Sequence, residues 1–240
     1  MLVNYIESQG NACYRYRNAV PLLYLLLGVF IWQWSEPFIS QPRHPDAEII
    51  YEICCLAVSL SGLTLRFITK GFGQIPIKSK KDLLPSADIL YTKGMYSIVR
   101  HPLYLADFFI FLGMVLYIQN FKFITCYFLL FTVFFERIIA AEEIYLKAKF
   151  GKQFMDWSDK TPAFFPDISL FKSTGSKFSR KIIFRKGPRF FLKIMVIFYS
   201  MEWINYFLVG HKIEFYWHFF MAIGLLLFIM SWSFLKLKTE

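Results

Sequence analysis

The chain has 240 residues, of which 56% are hydrophobic, 20% aromatic and only 18% charged. Average soluble chains are about half apolar and a quarter charged, and a chain this short cannot hide so much apolar surface in its own core. Intrinsic disorder, a collagen-like fibre and a small disulfide scaffold are excluded, and an integral membrane protein is expected. The net charge of +10 lies between apolar runs, which marks cytoplasmic loops and not one solvated nucleic-acid-binding face. No nucleic acid is expected as a partner.

Residues 1–17 lack the basic start, short apolar stretch and small-residue cleavage site of a signal peptide. A membrane span needs roughly 20 largely apolar residues. In chain order the candidates are residues 18–34, with Trp32 and Trp34 suited to an interface; 49–68, interrupted early by Glu52; 102–119; 121–141; 190–209; and 215–235. The third and fourth are separated only by a few residues around Asn120 and must form a tight antiparallel hairpin. Residues 1–17, 69–101, 142–189 and 236–240 carry 21 Lys and Arg, against 3 (Arg43, Lys122, Lys212) in the opposite loops. Lys and Arg bias short loops towards the cytoplasm. The predicted fold is therefore all-α: a polytopic helical membrane protein with about six transmembrane helices and both termini cytoplasmic.

Two cytoplasmic segments flank the tight hairpin. The first contains Gly94, Tyr96, Arg100, His101, Pro102 and Tyr104. Gly94 can take a backbone conformation that other residues resist. Pro102 suits the first turn of a helix. Arg100 and His101 then lie at the membrane surface, where a helix N-terminus favours a carboxylate or phosphate; a simple interfacial anchor is the alternative. The second segment continues the fourth helix out of the bilayer through Glu142 and Glu143, with Gly151 as its stop. Glu143 and Lys147 are four apart and can pair on a solvated face. Glu142 lies where the helix leaves the membrane, on the same side as Arg100 and His101, and an acid there is a candidate site residue.

The order Gly94-x-Tyr96-x-x-x-Arg100-His101-Pro102-x-Tyr104, about forty residues, then Glu142-Glu143-x-x-Leu146-x-x-x-Phe150-Gly151, resembles the isoprenylcysteine carboxyl methyltransferase family and its phospholipid methyltransferase relatives. Phe154, Trp157 and Pro166 stand where the family pattern has Tyr, Tyr and a closing Pro, so the resemblance covers residues 88–166. It implies three regions: N-terminal transmembrane helices and a cytoplasmic loop (1–87), a methyltransferase core (88–166), and a basic linker with a C-terminal transmembrane hairpin (167–240). It also implies S-adenosylmethionine as cofactor, in a cytoplasmic pocket covered by the C-terminal region. The implied cofactor contacts are Ile89, Leu90, Tyr91, Gly94, Tyr96, His101, Pro102, Leu103, Tyr104, Glu142 and Glu143, with Arg100, Arg137 and Glu142 in catalytic roles. The residue types fit that ligand: Arg100 and His101 for its carboxylate, Glu142 for its hydroxyls and ammonium, and Tyr96 and Tyr104 for its sulfonium.

The sequence departs from the pattern at two places. Ala106, then Asp107, stand where relatives have Gly, and Ile138 stands where the prenylcysteine enzymes have an acceptor-side Arg, with Arg137 one residue off. One residue turns a helical side chain by about 100°, so prenylcysteine is weakened as acceptor. An already anionic acceptor needs no general base, and orientation alone is worth about 7–11 kcal/mol. The expected substrate is a membrane lipid or lipidated molecule carrying an anionic oxygen, on phosphate or carboxylate. The expected location is the inner membrane of a bacterium or the endoplasmic reticulum of a eukaryote, with the site facing the cytoplasm.

The remaining segments are read more plainly. Residues 177–193 hold seven basic and no acidic residues; they either grip anionic headgroups or simply keep the loop inside. Asp107 and Glu202 fall within spans and are expected to face other helices or a wet cavity. Cys13, Cys54, Cys55 and Cys126 have no CxxC spacing, and His211 and His218 lack metal-ligand spacing, so neither a disulfide framework nor a metal site is expected. Two other activities stay open. Membrane sterol reductases share a similar Arg-His-Pro-x-Tyr stretch but bind NADPH, and a non-enzymatic transporter could line its pathway with Asp107.

Overall fold

The computed structural model describes residues 2–17, 19–32, 45–72, 89–175, 178–209 and 213–236. These residues form helices α1 (Leu2–Tyr16), α2 (Val20–Trp32), α3 (Pro45–Phe72), α4 (Met95–Ile98), α5 (Pro102–Tyr117), α6 (Phe121–Phe150), α7 (Lys152–Ser158), α8 (Arg180–Val209) and α9 (Phe215–Lys236), plus a 3₁₀ turn at Ile168–Leu170. Among the described residues the secondary structure is helical, as the sequence predicts, apart from one isolated bridge between Gly94 and Lys172.

Among the described residues three helices are long and apolar enough to cross a membrane: Ala47–Phe72, Phe121–Phe150 and Phe215–Ser233. They contain the second and fourth expected spans and all but the last two residues of the sixth. The third coincides with α5, whose 16 residues reach about 24 Å, short of a hydrocarbon core of about 30 Å. The first coincides with the 13 residues of α2, and Trp34 lies outside the described residues. The fifth falls within the longer α8, which carries Pro188 inside it.

The middle of the molecule is set by how closely α3 approaches α5. A Cβ on Gly62 would stand 2.6 Å from the Ala106 carbonyl oxygen, and one on Gly113 would stand 2.3 Å from that of Cys55. Lipid offers no hydrophobic drive for helix association, so small residues that bring backbones together do that job. The Ser59 hydroxyl donates to the Ile110 carbonyl at 2.8 Å and the Tyr51 hydroxyl to that of Leu116 at 2.6 Å.

α5 and α6 form the expected hairpin. Gln119 takes φ 57°, and the Asn120 side chain caps α6 by accepting from the Phe123 amide at 2.9 Å. Tyr127 on α6 then donates to the Phe108 carbonyl of α5 at 2.9 Å. α1 lies on α6, with Gly10 against the Arg137 carbonyl. α8 and α9 pack together and α8 closes on α3. Both charged residues expected within spans face other helices: Asp107 pairs with Arg66 of α3, and Glu202 accepts from Tyr117 of α5. Glu52 is likewise buried and accepts from Tyr216 and Trp217 of α9.

This packing predicts that Gly62→Leu and Gly113→Leu are destabilising, because each forces backbones apart; overpacking costs about 1–3 kcal/mol. Gly224→Ala meets only Leu192 and Met195 side-chain atoms, at 3.3 Å and beyond, and should cost less. Thermal unfolding in detergent checks the order; a Gly62→Leu protein as stable as wild type would contradict the α3–α5 contact.

Candidate functional site

The site is assembled where α5 begins and α6 leaves the apolar region. A residue before Pro avoids helical backbone angles, so His101 (φ −122°, ψ 60°) stays outside α5 and Pro102 opens it. Upstream, Gly94 has φ 65° and ψ −133°, a region that only glycine enters readily. This turn lets its N–H donate to the Lys172 carbonyl at 2.8 Å. α7 and the loop after it hold this segment in place. The Arg100 amide donates to the Pro162 carbonyl at 2.8 Å, the Asp167 amide to that of Ile98 at 2.9 Å, and the Trp157 indole to that of Tyr96 at 3.0 Å. Gly151 ends α6 as expected, with φ 52° and its N–H on the Lys147 carbonyl.

The two loops and the hairpin bring five expected residues together. Glu143 accepts from the Arg100 guanidinium at 3.2 Å and lies 2.9 Å from His101 Nε2. Glu142 accepts from the Tyr104 hydroxyl at 2.8 Å and lies 3.8 Å from His101 Nδ1. The imidazole thus sits between two adjacent carboxylates, with its side chain 5% exposed, and it stacks on Tyr104 at 5.8 Å. Tyr104 in turn meets Phe135, which stacks on Phe131 at 4.1 Å. Phe164, from the loop after α7, packs against Phe108 and Phe131. The Tyr96 and Tyr91 rings lie 6.0 Å apart. Burial first, then the Glu142 charge and Tyr91, push the Tyr96 phenol up, so it stays neutral.

One expected pairing is corrected. Glu143 does not act as a solvated partner for Lys147; it turns to Arg100 and His101, which the hairpin sets at 3.2 and 2.9 Å from its carboxylate. Ile138, at the acceptor-side position of the pattern, is fully buried, while the Arg137 carbonyl lies against Gly10 of α1. Arg137 takes no part in the ion pairs of the cluster. Pro102 is buried at the start of α5, with Leu103 half-buried beside it, whereas Ile89 is exposed. Leu90 is half-buried. Sequence reasoning missed Pro162 and Phe164, which long-range folding brings in without a motif of their own.

Arg100 and Glu143 also line a cleft of about 680 Å³ with Ile6, Ala140, Ile144 and Phe154. The Arg100 Nε–H is buried and has no hydrogen-bond partner. Chemically the arrangement offers a cation with a spare donor, a carboxylate-bound imidazole, a carboxylate-bound phenol and an aromatic wall. Anions, hydroxyls and flat cations all find complementary groups here.

Residues 53–153 match the phospholipid methyltransferase family. A nickel-cobalt-cadmium resistance protein of Alcaligenes xylosoxydans xylosoxydans is 28% identical over 141 residues, 59% of this chain and 58% of that one. A cobalt-zinc-cadmium resistance protein of Cupriavidus metallidurans is 27% identical over 117 residues, 49% and 51% of the two chains. A protein-S-isoprenylcysteine O-methyltransferase of Schizosaccharomyces pombe is 35% identical over 80 residues, 33% and 34% of the two. The chain thus spans between about a third and somewhat over half of the length of these curated relatives. No solved structure matches.

The ion pairs generate a stability prediction. Glu143→Ala leaves Arg100 and His101 without their acceptor, and losing charged hydrogen bonds costs about 1.5–3 kcal/mol. Lys147→Ala should stay within about 0.5 kcal/mol, as for ordinary surface changes. Thermal unfolding of the two variants separates these outcomes; equal, small shifts would return Glu143 to the solvated face.

Proposed function

We propose, from the match of residues 53–153 to the phospholipid methyltransferase family and the 35% identity over 80 residues to a protein-S-isoprenylcysteine O-methyltransferase, that this chain is an integral-membrane methyltransferase. In this reading it moves a methyl group from S-adenosylmethionine to a lipid or lipidated acceptor. The observation that carries it is the convergence of Arg100, His101, Tyr104, Glu142 and Glu143 from the two ends of one helical hairpin. The proposed topology has six spans and both termini in the cytoplasm, with residues 88–166 as the core.

The donor set fits the cofactor. S-adenosylmethionine, when bound, supplies an electrophilic methyl group on a sulfonium. Arg100 would hold the amino-acid carboxylate with its buried, spare Nε–H, and His101 would assist, kept in place by the carboxylate on each side of it. Glu142 would accept from hydroxyls or ammonium while Tyr104 fixes its orientation. The faces of Tyr96 and Tyr104 would sit beside positive charge, and Ile89, Leu90, Tyr91, Gly94, Pro102 and Leu103 would shape the rest of the pocket. The segment holding Pro162 and Phe164 would exclude water. The ring column Tyr104, Phe135, Phe131 and Phe108 leads from the cluster along the apolar hairpin, a fitting approach for an acyl or prenyl chain. Arg137 is not assigned to the acceptor.

A metal-binding role, which the names of two relatives raise, has no assembled ligand set: among the described residues no three His, Cys, Asp or Glu are grouped to hold an ion. The nicotinamide alternative is separated by competition.

Purified protein in detergent should bind labelled S-adenosylmethionine, and Glu142→Gln and His101→Ala should each weaken binding about 10- to 100-fold, as losing a charged hydrogen bond implies. No binding at millimolar cofactor, or displacement by NADPH instead, would overturn the reading. For the acceptor, mass spectrometry of lipids from cells with and without the chain should reveal a methyl ester on phosphate or carboxylate. A methyl gained on nitrogen alone would reassign it to an aminolipid.

A further inference from the structure

A second charged cluster lies where the end of α3 meets α8, and the candidate site does not use it. The Arg66 guanidinium, the Lys70 ammonium and the Lys193 ammonium stand 5.1, 5.6 and 5.8 Å from the centre of the Phe190 ring. A ring has only two faces that attract cations, so three around one ring are not explained by the ring. Among the described residues one carboxylate, Asp107, pairs with this group, and it is taken by Arg66. Lys70 and Lys193 therefore contribute two positive charges that no described carboxylate answers, and Arg66 keeps a buried Nε–H without a partner.

The surroundings indicate what answers them. Asp107 lies five residues into α5, about 7.5 Å along its axis, which is the depth of a headgroup boundary and not of the bilayer centre. Phe67 packs against Phe190, and Phe178 covers Gly71 and meets Phe72 at 4.8 Å. Aromatic rings gather at such boundaries, and basic pockets between membrane helices take lipid headgroups. We infer that Arg66, Lys70 and Lys193 form a site for the phosphate of a membrane lipid, of the phosphomonoester class. The two uncompensated ammonium groups match the two charges of a monoester, and the guanidinium supplies a directed hydrogen bond. The site stands apart from the cofactor cluster and does not rest on methyl transfer.

The test is native mass spectrometry of the full chain in detergent, without S-adenosylmethionine, titrated with dioctanoyl phosphatidic acid. Wild type should retain one lipid per chain, with at least tenfold weaker retention of dioctanoyl phosphatidylcholine. Lys70→Gln/Lys193→Gln should lose about tenfold in phosphatidic acid affinity. Lys70→Arg/Lys193→Arg should keep it, as should the exposed control Lys152→Gln/Lys160→Gln. Arg66→Gln/Asp107→Asn, which removes both members of the pair together, should lose about threefold with the protein still folded by its melting transition. Undiminished binding by Lys70→Gln/Lys193→Gln, or equal retention of phosphatidylcholine, would overturn the site. Full displacement of the lipid by inorganic phosphate at millimolar concentration would overturn the lipid as its source.

Discussion

Two adjacent carboxylates at the boundary of an apolar helix need partners, and the rest of the site depends on how they get them. Glu142 and Glu143 stand side by side on α6, so their side chains diverge by about 100°, and only the His101 imidazole, lying between them, faces both. The structure meets this with a single short segment: Arg100 and His101 serve Glu143, and Tyr104 serves Glu142. Those three residues fit only because Pro102 starts α5 between them. His101 is thereby left in the loop and Tyr104 is placed on the first turn. The short Gln119–Asn120 turn at the far end fixes the register of α5 against α6, so the carboxylates meet their donors instead of water.

Much of this is legible in the sequence, and the rest is hidden for a physical reason. The hairpin is implied by the brevity of the link around Asn120, and the ends of α5 and α6 by Pro102 and Gly151, which act locally. Glu142 and Glu143 stand out by their place at the end of an apolar run. The partner of Glu143 does not, because local spacing favours Lys147 whereas the tertiary fold supplies Arg100 and His101. Span length is also overstated by the sequence: apolar composition runs on past a helix end, so α5 is shorter than the apolar run that contains it. The Arg66–Asp107, Glu52–Trp217 and Glu202–Tyr117 contacts join residues far apart in sequence, and no periodicity announces them. Gly62 and Gly113 look like ordinary glycines until another helix backbone lies against them.

α5 emerges as the axis on which the two charged clusters are related. Tyr104 and Asp107 are three residues apart, about 60° around the helix; one reaches α6 and the other α3. The α5–α6 side is fixed by the hairpin and the aromatic column, and the α3–α5 side by close approach at Gly62 and Gly113, where no side chain can yield. With both neighbours fixed, the separation between the carboxylate cluster and the Arg66 cluster is set by one turn of a rigid helix, not by flexible loops. A lipid phosphate at Arg66, Lys70 and Lys193 and a small cofactor at Arg100 and Glu142 would then sit on adjoining sides of α5, about 60° apart around its axis, at a constant spacing. That spacing is what a substitution at Gly62 or Gly113 would loosen, because either forces the α3 and α5 backbones apart without touching either set of ligating residues.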